Sequence, residues 1–250
     1  MTDDLTLSPD EEPSGPGFPR WLRWALLGAL AVLVLGYGAI FLYAKVLNDA
    51  PDELDESNLD AALAAGTEVT DTTSDSPPDA SAWVTTDASE LGYRVKEILF
   101  GVDTEGVGRT NEVDGTITIE GTQVTQGEFV VDVASITSDE GRRDGQFRGR
   151  IMSTDQFPEA RFVLTEPIEL GTEPVDGTAV TTAATGQLTL RGVTNPVTFD
   201  VEARLENGRI GVLGSIEVVF ADYDITNPST GGITTEDHGL LEFVLVFEPA

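Results

Sequence analysis

Alternation of apolar and polar side chains in the last two thirds of the 250-residue chain is the feature that most limits how it folds. The pattern is clearest around a turn that we place at Gly192 and Asn195-Pro196. The residues that share one face on the two sides of this turn are all apolar: Leu188, Leu190, Val197, Phe199, Val201, Ala203 and Leu205. Strands with one apolar and one polar face are typical of an antiparallel sheet with one buried side. The segment therefore predicts a β-hairpin whose apolar face is covered by protein or by a ligand.

Strand patterns recur at short intervals through the same part of the chain. We predict eight strands, at residues 91–99, 113–120, 128–135, 160–165, 179–190, 196–206, 209–220 and 240–247. Turn residues separate them at Asp114-Gly115, Glu120-Gly121, Asp176-Gly177, Asn207-Gly208 and Gly231-Gly232. Strands with this spacing predict an all-β domain, either a barrel or a sandwich. Residues 139–155 interrupt the pattern and predict a short helix, which would cap one opening of a barrel.

An uncharged run of 20 residues lies near the N-terminus, at 25–44. At about 1.5 Å per residue it is long enough to cross a hydrocarbon layer of roughly 30 Å. Arg20 and Arg23 precede the run and Lys45 follows it, so the positive-inside rule predicts a cytoplasmic N-terminus. A cleaved signal peptide is the rival interpretation, but the run is longer than the usual apolar segment of such peptides and no convincing cleavage site follows it. We predict an uncleaved single-pass anchor in the cell membrane, with the folded domain extracytoplasmic.

Four parts of the chain follow from these patterns. We predict a disordered cytoplasmic tail over 1–20, a transmembrane helix over 21–45, a disordered acidic linker over 46–82 and the β-domain over 83–250. The linker is compatible with a short helix over 57–65, in which Ser57 and Asp60 resemble a weak capping box. So short a helix is marginal when isolated.

Charge and composition exclude several classes of function. The chain has 44 acidic and 14 basic residues, a formal net charge of −30, which repels nucleic acid and disfavours anionic lipid surfaces. It has no cysteine, so disulfides, thiol catalysis and thiolate metal sites are absent. Its single histidine, His238, stands beside Asp237 in a polar turn, where a solvated side chain is the usual finding. No serine-nucleophile, phosphate-loop, zinc or EF-hand motif occurs. We predict that the protein is not an enzyme and has no catalytic residue, metal or cofactor.

Four sequence blocks in the β-domain resemble the YceI-like proteins, a family of extended lipocalin-like barrels that bind long polyisoprenoids. In order, the blocks are 132–138 (DVASITS) followed by Arg143-Asp144, 156–162 (QFPEARF), 186–199 (GQLTLRGVTNPVTF) and 216–223 (IEVVFADY). The resemblance covers residues 83–247. It implies an eight-stranded antiparallel barrel with an apolar tunnel that holds an isoprenoid tail of the quinone or polyprenyl phosphate type. Two departures are the membrane anchor and Lys96-Glu97, which stands where the family often carries a Lys-His pair.

Candidate ligand-binding residues follow from this resemblance and from the strand faces. The residues expected to face an isoprenoid in the barrel interior are Phe129, Val131, Val133, Phe147, Phe162, Leu188, Leu190, Phe199, Val201, Val218, Phe220, Phe243 and Leu245. The residues expected to hold a head group at the barrel mouth are Arg142, Arg143, Arg148 and Arg150. Two alternatives stay open: the phenylalanines fill a closed core, as side chains do in many small barrels, and the arginines balance the surrounding acids.

Three hypotheses on function remain. The favoured one is a membrane-anchored extracytoplasmic protein that sequesters or carries a long polyisoprenoid. The alternative is a ligand-free β-domain that acts as a tethered protein-interaction module at the cell surface, which a large exposed apolar patch and a small cavity would favour. An enzyme would require a polar cleft with perturbed acids. A homodimer is compatible with the sequence.

Overall fold

The computed structural model describes residues 19–43, 50–65, 80–171 and 175–250. Its helices are α1 (Arg20–Leu42), α2 (Glu56–Ala64) and α3 (Gly141–Gln146). Its strands are β1 (Ala80–Thr85), β2 (Glu90–Leu99), β3 (Val102–Thr110), β4 (Val113–Glu120), β5 (Gln123–Asp132), β6 (Thr137–Ser138), β7 (Glu159–Leu164), β8 (Ile168–Glu169), β9 (Ala179–Leu190), β10 (Val193–Glu206), β11 (Arg209–Val219), β12 (Ile233–Thr235) and β13 (His238–Pro249). The predicted tail over 1–20 lies almost wholly outside the described residues.

Eight strands close into an antiparallel barrel, as the sequence predicts. Their order is β1-β4-β5-β7-β9-β10-β11-β13, and β13 pairs with β1 to complete the ring. The N-terminal half of β13 pairs instead with β2, which forms a hairpin with β3 and prolongs one end of the barrel. The short β12 pairs with β2, and β6 pairs with β3, at this same end. We call this end the mouth.

The hairpin of β9 and β10 is confirmed, but its turn is two residues long. Arg191 and Gly192 form it with φ angles of 50° and 78°, the left-handed backbone that suits such tight turns. Asn195 and Pro196, which we expected in the turn, lie inside β10. Proline is tolerated there because β11 pairs with β10 only from Val201 onward, so one edge of β10 is open at Pro196.

The predicted turn at Asp114-Gly115 is wrong, because both residues lie within β4. Gly115 pairs with Phe129 of β5, and a Cβ atom on Gly115 would lie only 2.4 Å from the Phe129 ring. The glycine is therefore explained by close packing of an aromatic ring against the backbone. The other four predicted glycine turns are confirmed.

Two further strand predictions differ from the structure. The strand predicted over 128–135 begins earlier and ends at Asp132, because the Asp132 carboxylate accepts the Ala134 N–H and starts a 3-10 turn over Val133–Ser135. Strands β1 and β3 were not predicted. Glycines at 106 and 108 and the charged side chains of β3 hide its alternation.

Helix α3 and a π-helical turn over Phe147–Ile151 occupy the interruption expected at 139–155. The buried carboxylate of Asp144 accepts hydrogen bonds from the N–H and the hydroxyl of Ser138, at 2.8 and 2.6 Å, which ties the helix to β6. Phe147 stacks on Tyr93 of β2, with ring centroids 4.7 Å apart. The helix thus partly covers the mouth.

Residues 50–65, which we call the strap, pack on the outside of the barrel. Within the strap, α2 begins one residue earlier than predicted and is capped by Asp55 and Asn58 rather than by Ser57 and Asp60. The Asp55 carboxylate accepts the N–H groups of Ser57 and Asn58 at 2.9 and 3.3 Å, and hydrogen bonds to Ser57 and Asn58 lower the pKa of Asp55. The structure therefore differs here from the free tether expected over 46–82.

Apolar contact explains why the strap lies on the barrel. Leu59 and Leu63 of α2 are 0% and 3% exposed and pack with Val244 and Val246 of β13. Residues 243–247 of β13 read FVLVF, so this strand is apolar on both faces and needs a cover outside as well as inside. Gly211 of β11 makes room, since a Cβ atom there would lie 2.5 Å from Leu59.

A buried ionic cluster fastens the start of the strap. Glu242 is 1% exposed and accepts hydrogen bonds from Arg94 and Arg109, with the closest contact, from Arg109, at 2.8 Å. The same two arginines donate to the carbonyl groups of Pro51 and Asp52, at 2.7 and 2.5 Å. Removing one member of such a cluster leaves a buried charge without its counter-ion, so the cluster fixes where the strap can sit.

Helix α1 projects from the folded part and buries none of its residues. The most apolar 18-residue stretch of α1 has a mean hydropathy of 2.4. By length and composition the helix can cross a membrane, a property that membrane anchors and signal sequences share.

Candidate functional site

The barrel is hollow, and its inner half holds an apolar cavity of about 150 Å³. Five phenylalanines on its wall form a continuous chain of ring contacts. Successive centroids, in the order Phe247, Phe129, Phe162, Phe199 and Phe243, are 5.8, 6.1, 5.4 and 6.0 Å apart. The interior therefore combines the two alternatives in part, because the phenylalanines pack against one another in the core and a cavity lies beside them.

Glycines beside these rings explain why the phenylalanines do not fill the barrel. A Cβ atom on Gly186 would lie 2.4 Å from the Phe162 ring, and one on Gly214 would lie 2.6 Å from the Phe243 ring. Each ring therefore lies against the backbone of the wall, in space that a side chain would otherwise take. This arrangement keeps the barrel centre open.

A larger cavity of about 420 Å³ occupies the mouth, between β2, α3 and the loop before β12. Tyr93, Phe147 and Ile233 are among the residues that line it. The inner and outer cavities abut at a waist whose residues line both: Leu91, Val131, Ala160 and Leu241. We call the two abutting cavities together the tunnel; the lining of the inner cavity is almost wholly apolar, and the outer cavity adds polar groups at the mouth.

Charged groups stand at the rim of the outer cavity. Arg143 of α3 forms an ion pair with Asp139, four residues earlier. Both Arg143 and the half-buried Glu97 of β2 lie against Gly106, at 3.3 and 3.5 Å from the position of its absent Cβ. Burial raises the pKa of Glu97, although the charge of Arg143 lowers it in part, and burial also raises the pKa of Tyr93. The mouth thus offers a cation, a carboxyl group and a phenol to a polar head group.

The structure places all the predicted interior residues on the tunnel wall. Those in the inner cavity are Phe129, Phe162, Leu188, Phe199, Val201, Phe243 and Leu245, and Val131 lies at the waist. Those in the outer cavity are Val133, Phe147, Leu190, Val218 and Phe220.

The four predicted head-group arginines divide into two pairs. Arg142 and Arg143 line the outer cavity, whereas Arg148 and Arg150 do not. Arg150 instead donates hydrogen bonds to the carbonyl groups of Asn227 and Pro228, at 3.5 and 3.1 Å. It therefore ties the π-helical turn to the loop before β12.

Sequence reasoning missed the wall that β2 supplies. Alternate residues of this strand line the outer cavity: Leu91, Tyr93, Val95, Glu97 and Leu99. Their period of two is visible in the sequence, but the charged Glu97 interrupts it. Glu97 also occupies the second position of the pair at which the chain departs from the YceI-like pattern.

Within residues 19–43, 50–65, 80–171 and 175–250, no group of three or more His, Asp or Glu side chains is placed to hold a metal. His238 contacts Asp237 and Glu236 at 2.9 and 3.3 Å at the start of β13 and does not line either cavity.

Curated relatives of the chain carry no assigned activity in their names. A UPF0312 protein of Shewanella denitrificans is 32% identical over 128 residues, which are 48% of this chain and 63% of that protein. The UPF0312 protein VPA0850 of Vibrio parahaemolyticus is 29% identical over 127 residues, 47% of this chain and 64% of that protein. The chain therefore spans less than two thirds of the length of these relatives.

Two solved structures with the same fold align with this chain over nearly the whole of their own length. A polyisoprenoid binding domain from Saccharophagus degradans has a TM-score of 0.55 and 20% identity, over 68% of this chain and 99% of that one. BcnA of Burkholderia cenocepacia has a TM-score of 0.51 and 20% identity, over 65% and 98%. At this identity the likeness is one of fold. The model of the YceI-like domain family matches residues 83–247, which form the barrel. This chain belongs to the YceI-like domain family.

Proposed function

We propose that the protein binds one long polyisoprenoid lipid in its barrel and holds or carries it outside the cytoplasmic membrane. The observation that carries this proposal is the tunnel. Its two cavities, of about 150 and 420 Å³, abut at an apolar waist, and together they fall within the usual range of ligand pockets, roughly 300–1,000 Å³. Each methylene group that a lipid tail buries in such a cavity contributes about 0.8 kcal/mol to the free energy of binding, and no catalytic group is needed.

The shape of the tunnel fits a molecule with a long apolar tail and a small polar head. The tail occupies the inner cavity against the aromatic wall and passes the waist at Leu91 and Ala160. The head stays in the outer cavity beside Arg142, Arg143 and Glu97. The guanidinium groups of Arg142 and Arg143 are donors that suit a head group of quinone or polyprenyl phosphate type. The polyisoprenoid binding domain of Saccharophagus degradans, which shares the fold, supports this choice of ligand class.

The N-terminal part of the chain supports an anchored protein. The apolar helix α1 is 23 residues long, and Arg20 and Arg23 stand at its N-terminal end. In our proposal α1 is an uncleaved anchor with a cytoplasmic N-terminus, so that the barrel is extracytoplasmic. In our proposal the role is binding rather than catalysis, and in keeping with this the described residues that line the two cavities include no serine, cysteine, histidine or lysine.

Lipid analysis of the purified protein tests this function. The full chain is extracted from membranes in a mild detergent and measured by native mass spectrometry, and its organic extract is analysed separately. We expect one bound lipid with a repeating isoprene unit. A protein that carries no lipid, and takes up none from an added prenyl lipid, would contradict the proposal.

A further inference from the structure

The mouth of the barrel carries exposed apolar side chains. Ile98 and Phe100, at the tip of the β2–β3 hairpin, are 45% and 58% exposed. Phe100 has a φ of 48°, in the left-handed region that a bulky aromatic residue rarely adopts. At the opposite end of the barrel the β10–β11 turn has Asn207 at a φ of 52°, the residue type that such a turn favours. One edge of the Phe100 ring lies against Gly232. An exposed phenylalanine at this backbone position points to a contact outside the fold.

The end of the membrane helix lies at the same place. Tyr43, the residue after α1, lines the outer cavity, and its hydroxyl donates a hydrogen bond to Glu140 at 3.3 Å. Tyrosine is a residue type that concentrates at membrane interfaces. The bilayer surface at the end of α1 therefore lies beside the mouth.

The strap keeps the barrel close to that surface. A free linker over residues 46–82 would reach up to roughly 125 Å when extended. Because the strap is fixed on the barrel by Leu59 and the Glu242 cluster, the connection is reduced to the residues between Tyr43 and Ala50, which span at most about 25 Å.

We propose that the mouth of the barrel docks on the bilayer surface, with Phe100 and Ile98 inserted in the lipid interface. An isoprenoid then passes between the bilayer and the tunnel without crossing water. This inference rests on the proposed function, since it takes α1 as a membrane anchor. A chain with a net charge of −30 gains little from anionic lipid, so the contact depends on apolar insertion and needs only neutral lipid.

Site-specific fluorescence tests the docking, because the chain has no cysteine of its own. Single cysteines are introduced by Ile98→Cys at the mouth or Val175→Cys at the opposite end, where Val175 is 59% exposed. Each is labelled with a polarity-sensitive dye, and the full chain is reconstituted in phosphatidylcholine vesicles that carry a lipid-bound quencher. We expect several-fold stronger quenching at position 98 than at position 175. Equal quenching at the two positions would overturn the proposal.

A second pair of variants tests the role of the phenylalanine. With the dye on Thr230→Cys, which lies beside the hairpin tip, Phe100→Asn should reduce quenching, whereas Val175→Asn should leave it unchanged. Asparagine tolerates the left-handed backbone, so the hairpin is expected to persist, and circular dichroism checks this. Undiminished quenching in folded Phe100→Asn would overturn the proposal. A dye at position 98 that is shielded from water in native membranes but not in phosphatidylcholine vesicles would also overturn it, since that result indicates a protein partner. Lipid bound without docking would refute this inference alone, whereas docking without bound lipid would refute the proposed function.

Discussion

Ala160 is the smallest of the residues that form the waist between the two cavities. The neighbouring waist residues Leu91, Val131 and Leu241 are already branched and bulky, so the width of the tunnel depends on this alanine. It lies in the strand predicted over 160–165, which the structure contains as β7. Its role at the waist was not predicted, because the sequence does not show where two cavities meet.

Enlarging this residue should separate the cavities. We predict that Ala160→Leu lowers the affinity for long prenyl lipids by tenfold or more, about 1.4 kcal/mol, because the tail no longer reaches the inner cavity. Overpacking costs stability as well, about 1–3 kcal/mol. The measurement is binding of two prenyl lipids, one long and one short enough for the outer cavity. The short lipid should bind as it does to wild type.

Thr116→Leu serves as the matched control, since Thr116 is an exposed residue of β4 that points away from the tunnel. It adds a leucine to the barrel wall without filling the waist. Equal loss of long-chain binding in both variants would contradict a role for the waist.

Glu97 should make head-group binding depend on pH. Burial raises the pKa of Glu97 above its ordinary value of 4.5, the carboxylates of Asp139 and Glu140 raise it further, and Arg143 lowers it. As the pH falls through this raised pKa, Glu97 loses its charge and no longer repels an anionic head group. We therefore predict that a prenyl phosphate binds more tightly as the pH is lowered, and that Glu97→Gln binds tightly throughout and loses this dependence.

Stability provides an independent measurement of the same shift. Between the ordinary glutamate pKa and the raised pKa of Glu97, the unfolded chain binds fewer protons at this position than the folded protein does, so the free energy of unfolding falls as the pH rises through this window. In Glu97→Gln this part of the decline should vanish. An unchanged pH profile of both binding and stability would show that Glu97 is not the responsible group.

At the scale of elements, the packing of the strap on the barrel is a feature that sequence patterns did not show. The run of apolar residues on both faces of β13 signals that its outer face is covered, but it does not say by what. The covering helix α2 precedes β13 by about 180 residues and is too short to be stable alone. Only the contacts of Leu59 and Leu63 in the folded molecule identify it.

Truncation of a strap leucine should destabilise the whole domain. Leu59 is 0% exposed and contacts the β13 face, so we predict that Leu59→Ala lowers the free energy of unfolding by about 2–5 kcal/mol. Asp60 is the matched control on the outer side of the same helix, where it pairs with Arg204 at the surface, and Asp60→Ala should cost about 1 kcal/mol or less. Urea unfolding of the full chain in detergent measures both. Similar small losses in the two variants would mean that α2 does not cover the barrel.

At the scale of the whole molecule, alternation predicts more of the barrel than of the tunnel. Successive side chains of a strand point to opposite faces of the sheet. The alternation of apolar residues in β9, β10, β11 and β13 therefore identifies the faces that point into the barrel. Whether the inward side chains meet at the barrel centre depends on how each phenylalanine ring lies against the barrel backbone. Glycines on neighbouring strands, such as Gly186 beside Phe162, decide the position of the ring, and the pattern within a single strand does not show it.

The course of the chain outside the barrel is the other part that sequence leaves open. The acidic composition of 46–82 is typical of a disordered tether, yet the structure holds its residues 50–65 on the barrel through Leu59 and the buried Glu242 cluster. Such contacts join residues far apart in the sequence. With the strap held on the barrel, only the residues between Tyr43 and Ala50 connect it to α1, which limits how far α1 can lie from the barrel.

A crystal structure of the lipid-loaded protein tests the central claim most directly, namely that one continuous apolar tunnel holds an isoprenoid. We predict tubular electron density that starts beside Arg143, passes between Leu91 and Ala160 and ends against Phe199. Lipid density confined to the outer surface, with the waist closed in a protein that carries one lipid per chain, would contradict the account.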